Sequence, residues 1–168
     1  MSTKKLVRCA AIAAVYTALC LMLAPFSYGA IQVRVAEALG LLVVFGPEYA
    51  VGVTLGCFLS NMLGYGFPDI LFGTVATALA CGASYALRSK RVAGLAIPAS
   101  IPPVVFNALI VGPEIAYYFS DAPFTLAACV INGITVGIGE IISCCILGVL
   151  LVKVIESSQP LKAIFCSE

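Results

Sequence analysis

Polar side chains that could recognise a small molecule are concentrated in one stretch of a chain that otherwise avoids charge. Residues 31–39 contain Gln32, Arg34 and Glu37, and Arg34 is the only basic residue between positions 8 and 88. A guanidinium and a carboxylate at this spacing could pair with the polar edges of a planar ligand. The alternative interpretation is an exposed i,i+3 pair, which would contribute little to stability.

Further polar residues lie within or beside apolar runs. They are Asn61, Asp69, Asn107, Glu114, Asn132 and Glu140, with Phe72 predicted on the same helix face as Asp69. A carboxylate at mid-bilayer costs about 2.5–3.5 kcal/mol on insertion scales, so Glu140 needs a partner, a hydrated cavity or a ligand. It could equally be a neutral acid or make a structural hydrogen bond, and the asparagines could simply join neighbouring helices.

The composition predicts an all-α membrane protein. The chain is 62% hydrophobic and 10% charged, with a mean hydropathy of +1.11, whereas soluble domains are about 25% charged. The apolar runs are continuous rather than alternating, which excludes a β-barrel. The net charge of +1 does not indicate a nucleic-acid partner.

Several kinds of chemistry have no support in the sequence. The chain has no histidine and no C-x-x-C pair, so we predict no metal site and no cofactor. Nucleotide-binding, metalloprotease and hydrolase motifs are also absent, so we predict no catalytic residues and no enzyme activity. The cysteines are interpreted mainly as small core residues.

The apolar runs predict a single transmembrane domain over residues 1–168. Six helices are expected, at 6–26, 35–45, 49–63, 70–87, 92–111 and 124–155. The second is too short to cross a bilayer core of about 30 Å unless protein shelters its ends. Asp69 is expected to cap the fourth helix and Pro123 to occupy the first turn of the sixth, with a loop at 112–122 and a loose tail after 155.

Charge predicts the orientation of this bundle. Six helices place both termini on one side, together with every basic residue except Arg34. The positive-inside rule makes that side the cytoplasm. The other polar residues then gather in the outer third of the bundle, with Glu140 nearer the membrane centre. We therefore predict an outward-facing binding site in a chain without a motif for driving transport.

Ala10, Ala14 and Ala18 form one face of the first helix, because they recur every four residues. Small residues at this spacing allow another helix to approach closely. The face could dock a separate protein, or it could pack inside the bundle of this chain.

The polar residues occur in a pattern that resembles one family. The segments Ile31-Gln32-x-Arg34-Val35-x-Glu37-Ala38-Leu39 and Asp69-Ile70-x-Phe72-Gly73, together with Asn61, Asn107-Ala108-x-Ile110-Val111-Gly112 and Gly139-Glu140-Ile141-Ile142, resemble the QueT family of queuosine-precursor transporters. The likeness runs from the first helix to the sixth. Val33 departs from it, being smaller than the aromatic residue expected at that position.

The resemblance implies a substrate-binding S component of an energy-coupling factor (ECF) transporter, with both termini cytoplasmic. It also implies a membrane coupling protein and two cytoplasmic ATPases as partners, with Ala10, Ala14 and Ala18 as the docking motif. The implied cargo is a 7-deazaguanine, namely queuine, preQ1 or preQ0. Glu140 or Glu37 would then read the guanine edge, supported by the other polar residues. An S component for another vitamin, a proton-coupled carrier using Glu140 and a membrane enzyme remain as alternatives.

Overall fold

The structure, a computed structural model, describes residues 2–24, 33–64, 66–120 and 123–166, and these ranges fold into seven helices. The helices are α1 (Thr3–Met22), α2 (Val35–Val44, a 3-10 helix), α3 (Pro47–Gly64), α4 (Phe67–Ala86), α5 (Ile97–Tyr118), α6 (Leu126–Ser157) and α7 (Gln159–Phe165). No strand is formed within the described residues, apart from an isolated bridge between Val92 and Leu95.

Four of these helices, α1, α4, α5 and α6, are long and apolar enough to cross a membrane. At 1.5 Å per residue, the 20 residues of α1 cover about 30 Å, the thickness of the hydrocarbon core. The short second element is confirmed: α2 has 10 residues, which in 3-10 geometry reach only about 20 Å. Most of α2 is buried, so the surrounding helices shelter it as the sequence predicts.

Glycines set the closest helix contacts. A Cβ added at Gly56 of α3 would lie 2.7 Å from the Tyr16 Cβ of α1, and one at Gly52 would lie 2.9 Å from the Cys9 carbonyl oxygen. A Cβ at Gly112 of α5 would lie 2.6 Å from the Gly133 Cα of α6. Because only a hydrogen fits at these points, the α1–α3 and α5–α6 pairs pack backbone to backbone.

Helix α6 is continuous but changes geometry along its length. Residues Leu126–Glu140 are α-helical, Ile141–Gly148 form a π-helix and Val149–Ser157 return to α-helix. The π-helix begins directly after Glu140 and contains Cys144, which is buried. Such wide turns are rare and are frequent at functional sites.

Several predicted boundaries are wrong. The loose tail is in part a seventh helix, α7, because the Phe165 carbonyl accepts a hydrogen bond from the Tyr49 hydroxyl (2.9 Å) and the two rings stack. The described residues therefore form seven helices rather than six. Helix α5 covers Ile97–Tyr118 rather than 92–111, and it accommodates Pro102, Pro103 and Pro113 in its interior.

Two predicted site residues and one predicted helix-start proline consequently lie elsewhere than expected. Glu114 is buried within α5 rather than in an outer loop. Asp69 lies in the first turn of α4, and Gly66 occupies the cap position because its φ of 127° suits glycine. Pro123 precedes α6, where Thr125 caps the helix by accepting a hydrogen bond from the Ala128 amide (3.1 Å).

Basic residues collect at one end of the bundle. Arg8 lies 3.6 Å and Lys5 3.9 Å from the Glu48 carboxylate, and Arg91 pairs with Glu156 at 2.8 Å. The first residues of α1 and the last turn of α7 line a common groove at this end, so the two ends of the described chain are neighbours. The predicted assignment of this end to the cytoplasm remains a prediction.

Candidate substrate-binding site

Three helices meet at a polar corner around Arg34, which directly precedes α2. The Arg34 guanidinium forms an ion pair with Asp69 at 3.1 Å, and both side chains are almost buried. The Asn61 amide nitrogen, near the end of α3, donates to the Asp69 carbonyl at 2.7 Å. Gly73 leaves room for this arrangement, because a Cβ there would lie 2.9 Å from Asn61 Nδ2. Arg34 therefore pairs with Asp69 of another helix, contrary to the interpretation as a surface pair with Glu37.

Glu37 and Glu140 lie deeper in the bundle. The Tyr16 hydroxyl of α1 donates a hydrogen bond to Glu37 Oε1. The Cys144 thiol lies 3.3 Å from Glu140 Oε2 and 3.4 Å from the Glu37 carbonyl oxygen, so it bridges α2 and α6. Because Cys144 follows Glu140 by four residues, the π-helix that contains it also holds the Glu140 carboxylate towards α2.

Helix α5 contributes two further polar residues on one face. Asn107 and Glu114 are seven residues apart, which is two helical turns or about 10 Å along the axis. The Asn107 side chain interacts with the Glu140 carboxylate beside it, but its buried Nδ2 has no acceptor in full hydrogen-bond geometry. Glu114 is only 3% exposed, and both of its carboxylate oxygens are buried without a hydrogen-bond partner. In the same cluster, Asn61 Oδ1 is also buried without a partner.

The electrostatics join these residues into one cluster. Arg34 interacts with the carboxyl groups of Glu37, Glu114 and Glu140 as well as pairing with Asp69. Four acidic side chains therefore lie within electrostatic range of one guanidinium, and Asp69 forms the ion pair with it at 3.1 Å. Among residues 2–24, 33–64, 66–120 and 123–166, no group of three acidic or cysteine side chains is arranged to hold a metal ion.

Not every predicted site residue joins the cluster. Asn132 is half-buried, and its Nδ2 donates to the Ala128 carbonyl of its own helix at 2.9 Å. Phe72 packs against Tyr118 with ring centroids 6.1 Å apart, which places an aromatic pair between α4 and α5. Gln32 lies outside the described residues. The remaining residues, Arg34, Glu37, Asn61, Asp69, Asn107, Glu114 and Glu140, are brought together.

The sequence did not point to Tyr16 and Cys144, which hold two of the carboxylates. Tyr16 is the one aromatic residue of α1, and Cys144 lies one turn after Glu140, but neither feature is distinctive. Their roles follow only from contacts between helices that are distant in sequence.

The predicted docking alanines face away from the bundle. Ala10, Ala14 and Ala18 are all exposed, whereas the opposite face of α1, which includes Cys9, Ile12 and Tyr16, is buried. The alternative of packing within this chain is therefore wrong. What covers the alanine face remains a prediction.

Long apolar helices arranged around a buried polar cluster define a multi-pass membrane protein with a candidate small-molecule site. A family model described as QueT transporter matches residues 6–157. The chain therefore belongs to the QueT transporter family and is a multi-pass protein of the cell membrane.

One curated relative is the "Queuosine precursor transporter QueT" of Lactococcus lactis subsp. cremoris (strain MG1363), which is 38% identical over 77 residues. The match covers 45% of this chain and 46% of that protein, so it spans about half of the relative's length. No solved structure gives a significant match.

Proposed function

We propose that this protein is the substrate-binding S component of an ECF-type importer and that it captures a queuosine precursor from outside the cell. The observation that supports this most directly is the set of buried polar atoms without partners, on Asn61, Asn107 and Glu114, beside the Arg34–Asp69 ion pair. A buried polar atom without a partner costs about 1–3 kcal/mol. A ligand that hydrogen-bonds to these atoms would recover that free energy on binding.

The available atoms suit a 7-deazaguanine. Its guanine edge presents two adjacent N–H donors, which one carboxylate can accept as a pair. Its ring carbonyl needs a donor, which Asn107 Nδ2 or Arg34 could supply. The pyrrole N–H needs an acceptor, and Asn61 Oδ1 is buried and available.

The acidic composition of the cluster favours a cargo with a positive group, which would hold the neighbouring carboxyl groups in their ionised form. Glu37, Asp69, Glu114 and Glu140 lie around the single guanidinium of Arg34. The aminomethyl arm of preQ1 and the amine of queuine are protonated near neutral pH, whereas the nitrile of preQ0 is uncharged. We therefore propose that preQ1 or queuine binds more tightly than preQ0.

The energy for transport would come from partner proteins. The sequence contains no phosphate-binding loop, so this chain has no such route to ATP of its own. The exposed face at Ala10, Ala14 and Ala18 would dock on a membrane coupling protein that works with two cytoplasmic ATPases.

The proposal is tested with the purified full chain in detergent or nanodiscs. Calorimetric titration with preQ1, preQ0, queuine, guanine and adenine should show binding of the 7-deazaguanines, with preQ1 or queuine tightest. Uptake into vesicles should require the ATPase module and ATP. If no 7-deazaguanine binds, the proposed cargo is wrong; if the chain alone imports it along a pH gradient, the proposed mechanism is wrong.

A further inference from the structure

Only one of the four clustered carboxylates has both of its oxygens buried and available. Glu37 Oε1 accepts the hydrogen bond of Tyr16, Asp69 Oδ1 pairs with Arg34, and Glu140 Oε2 faces the Cys144 thiol. Each of these acids has at least one oxygen engaged by the protein. Both oxygens of Glu114 lack a hydrogen-bond partner.

We propose that Glu114 is the residue that reads the guanine edge, by accepting the ring N1–H and the 2-amino N–H with its two oxygens. The inference rests on the proposed function and differs from the sequence-based expectation that Glu140 or Glu37 has this role. A carboxylate oxygen can accept more than one hydrogen bond, so the other three acids are not excluded by their contacts alone. Glu114 is favoured because both of its oxygens are buried without a partner, and a pair of N–H donors would satisfy both at once.

The position of Glu114 suits this role. It lies at the Arg34–Asp69 end of the cluster, because it interacts electrostatically with both of these side chains. Two residues earlier, Gly112 contacts the backbone of Gly133 so closely that an added Cβ would lie 2.6 Å from its Cα. This contact holds α5 against α6 and so fixes the direction in which Glu114 projects.

Asn107 would extend this recognition to the ring carbonyl, which lies next to N1–H on the same edge of the base. Asn107 lies two turns from Glu114, and its unpartnered Nδ2 is a donor for the ring carbonyl. Glu37 and Glu140 are then left to balance the charge of the aminomethyl arm. The assignment therefore gives each acid one role, with Glu114 responsible for discrimination at the 2-amino group.

The experiment compares preQ1 with its analogue lacking the 2-amino group, 7-aminomethyl-7-deazahypoxanthine. The unmodified chain should bind preQ1 roughly 10- to 100-fold more tightly, because the analogue leaves one Glu114 oxygen without a donor. In Glu114→Gln the side chain keeps one acceptor oxygen, but its NH2 group is a donor and faces one of the two N–H groups of the guanine edge, so one hydrogen bond is lost. The preQ1 affinity should fall, and the preference over the analogue should disappear.

Glu48→Gln is the matched control, because Glu48 is also a buried glutamate but lies at the opposite end of the bundle beside Arg8. It should keep the preference even if it lowers the thermal stability. If Glu114→Gln still prefers preQ1 to the analogue, the assignment is wrong. It is also wrong if that preference is lost in Glu140→Gln or in Glu37→Gln. Those two variants decide the question if Glu114→Gln does not fold. A failure of the unmodified chain to bind preQ1 would instead count against the proposed function.

Discussion

The Tyr16 hydroxyl donates a hydrogen bond to the Glu37 carboxylate, and this contact ties α1 to the buried 3-10 helix. Both residues are nearly inaccessible, with 1% and 3% of their surfaces exposed. On the opposite side of α1, Ala14 and Ala18 are exposed. One face of α1 therefore contacts Glu37 of the candidate site, while the other face is open to a partner or to lipid.

Tyr16→Phe should lower the stability of the bundle by about 1–3 kcal/mol, because it removes the hydroxyl and leaves a buried carboxylate oxygen without its donor. Thermal unfolding in detergent measures the effect. Tyr117→Phe makes the same chemical change at an exposed side chain and should leave the melting temperature unchanged. Equal melting temperatures for the two variants would show that the hydrogen bond does not stabilise the bundle.

Gly56→Ala should destabilise the protein by about 1–3 kcal/mol through overpacking. The new methyl group would lie 2.7 Å from Tyr16 Cβ and 2.9 Å from the Ala13 carbonyl oxygen, so α1 would have to move away from α3. Gly82→Ala is the control, because nothing lies within 4 Å of a Cβ at that helical position. It should be neutral or stabilising by up to about 1 kcal/mol, owing to the higher helix propensity of alanine. A melting temperature for Gly56→Ala at or above that of Gly82→Ala would contradict the close packing.

Asp69→Asn should weaken binding of the 7-deazaguanine by about tenfold or more, because it removes a charged partner of Arg34 beside the site. The hydrogen bond from Asn61 to the backbone carbonyl of residue 69 should persist, since it does not use the side chain. Isothermal titration gives the affinity. Glu156→Gln breaks the ion pair with Arg91 at the other end, where both side chains are partly exposed, and should change neither the affinity nor the stability by a measurable amount. Comparable affinities for the two variants would place Asp69 outside the site.

Ala14→Trp should leave ligand binding and the melting temperature unchanged but abolish ATP-driven uptake, because the large ring occupies a face on which the coupling protein is proposed to pack. Transport assays with the complete complex measure this, together with co-purification of the partners. Ala78→Trp introduces the same ring at an exposed position of α4 and should not affect uptake. Normal uptake by Ala14→Trp would show that α1 does not dock through its alanines.

The membrane class, the short second helix and most residues of the polar cluster can be predicted from the amino-acid sequence. These features depend on local properties of the sequence. A long apolar run has few alternatives to a transmembrane helix, and a charged residue inside such a run is energetically costly, so it indicates a partner or a function. Glu140 stands out for that reason, Asn61 is a polar side chain within such a run, and Arg34 is the only basic residue between positions 8 and 88. The loop predicted at 112–122 is wrong in its first part, because contact between Gly112 and Gly133 of α6 accompanies a helix that continues to Tyr118.

Which polar groups are paired and which lack a partner cannot be read from the sequence and depends on how the helices pack. That Arg34 faces Asp69, that Tyr16 holds Glu37 and that Glu114 has two available oxygens all depend on the rotation and depth of each helix. Close contacts such as Gly56 on Tyr16 and Gly112 on Gly133 set these quantities. Hydropathy and spacing carry no information about them, because they describe each helix separately, whereas the site is formed between helices.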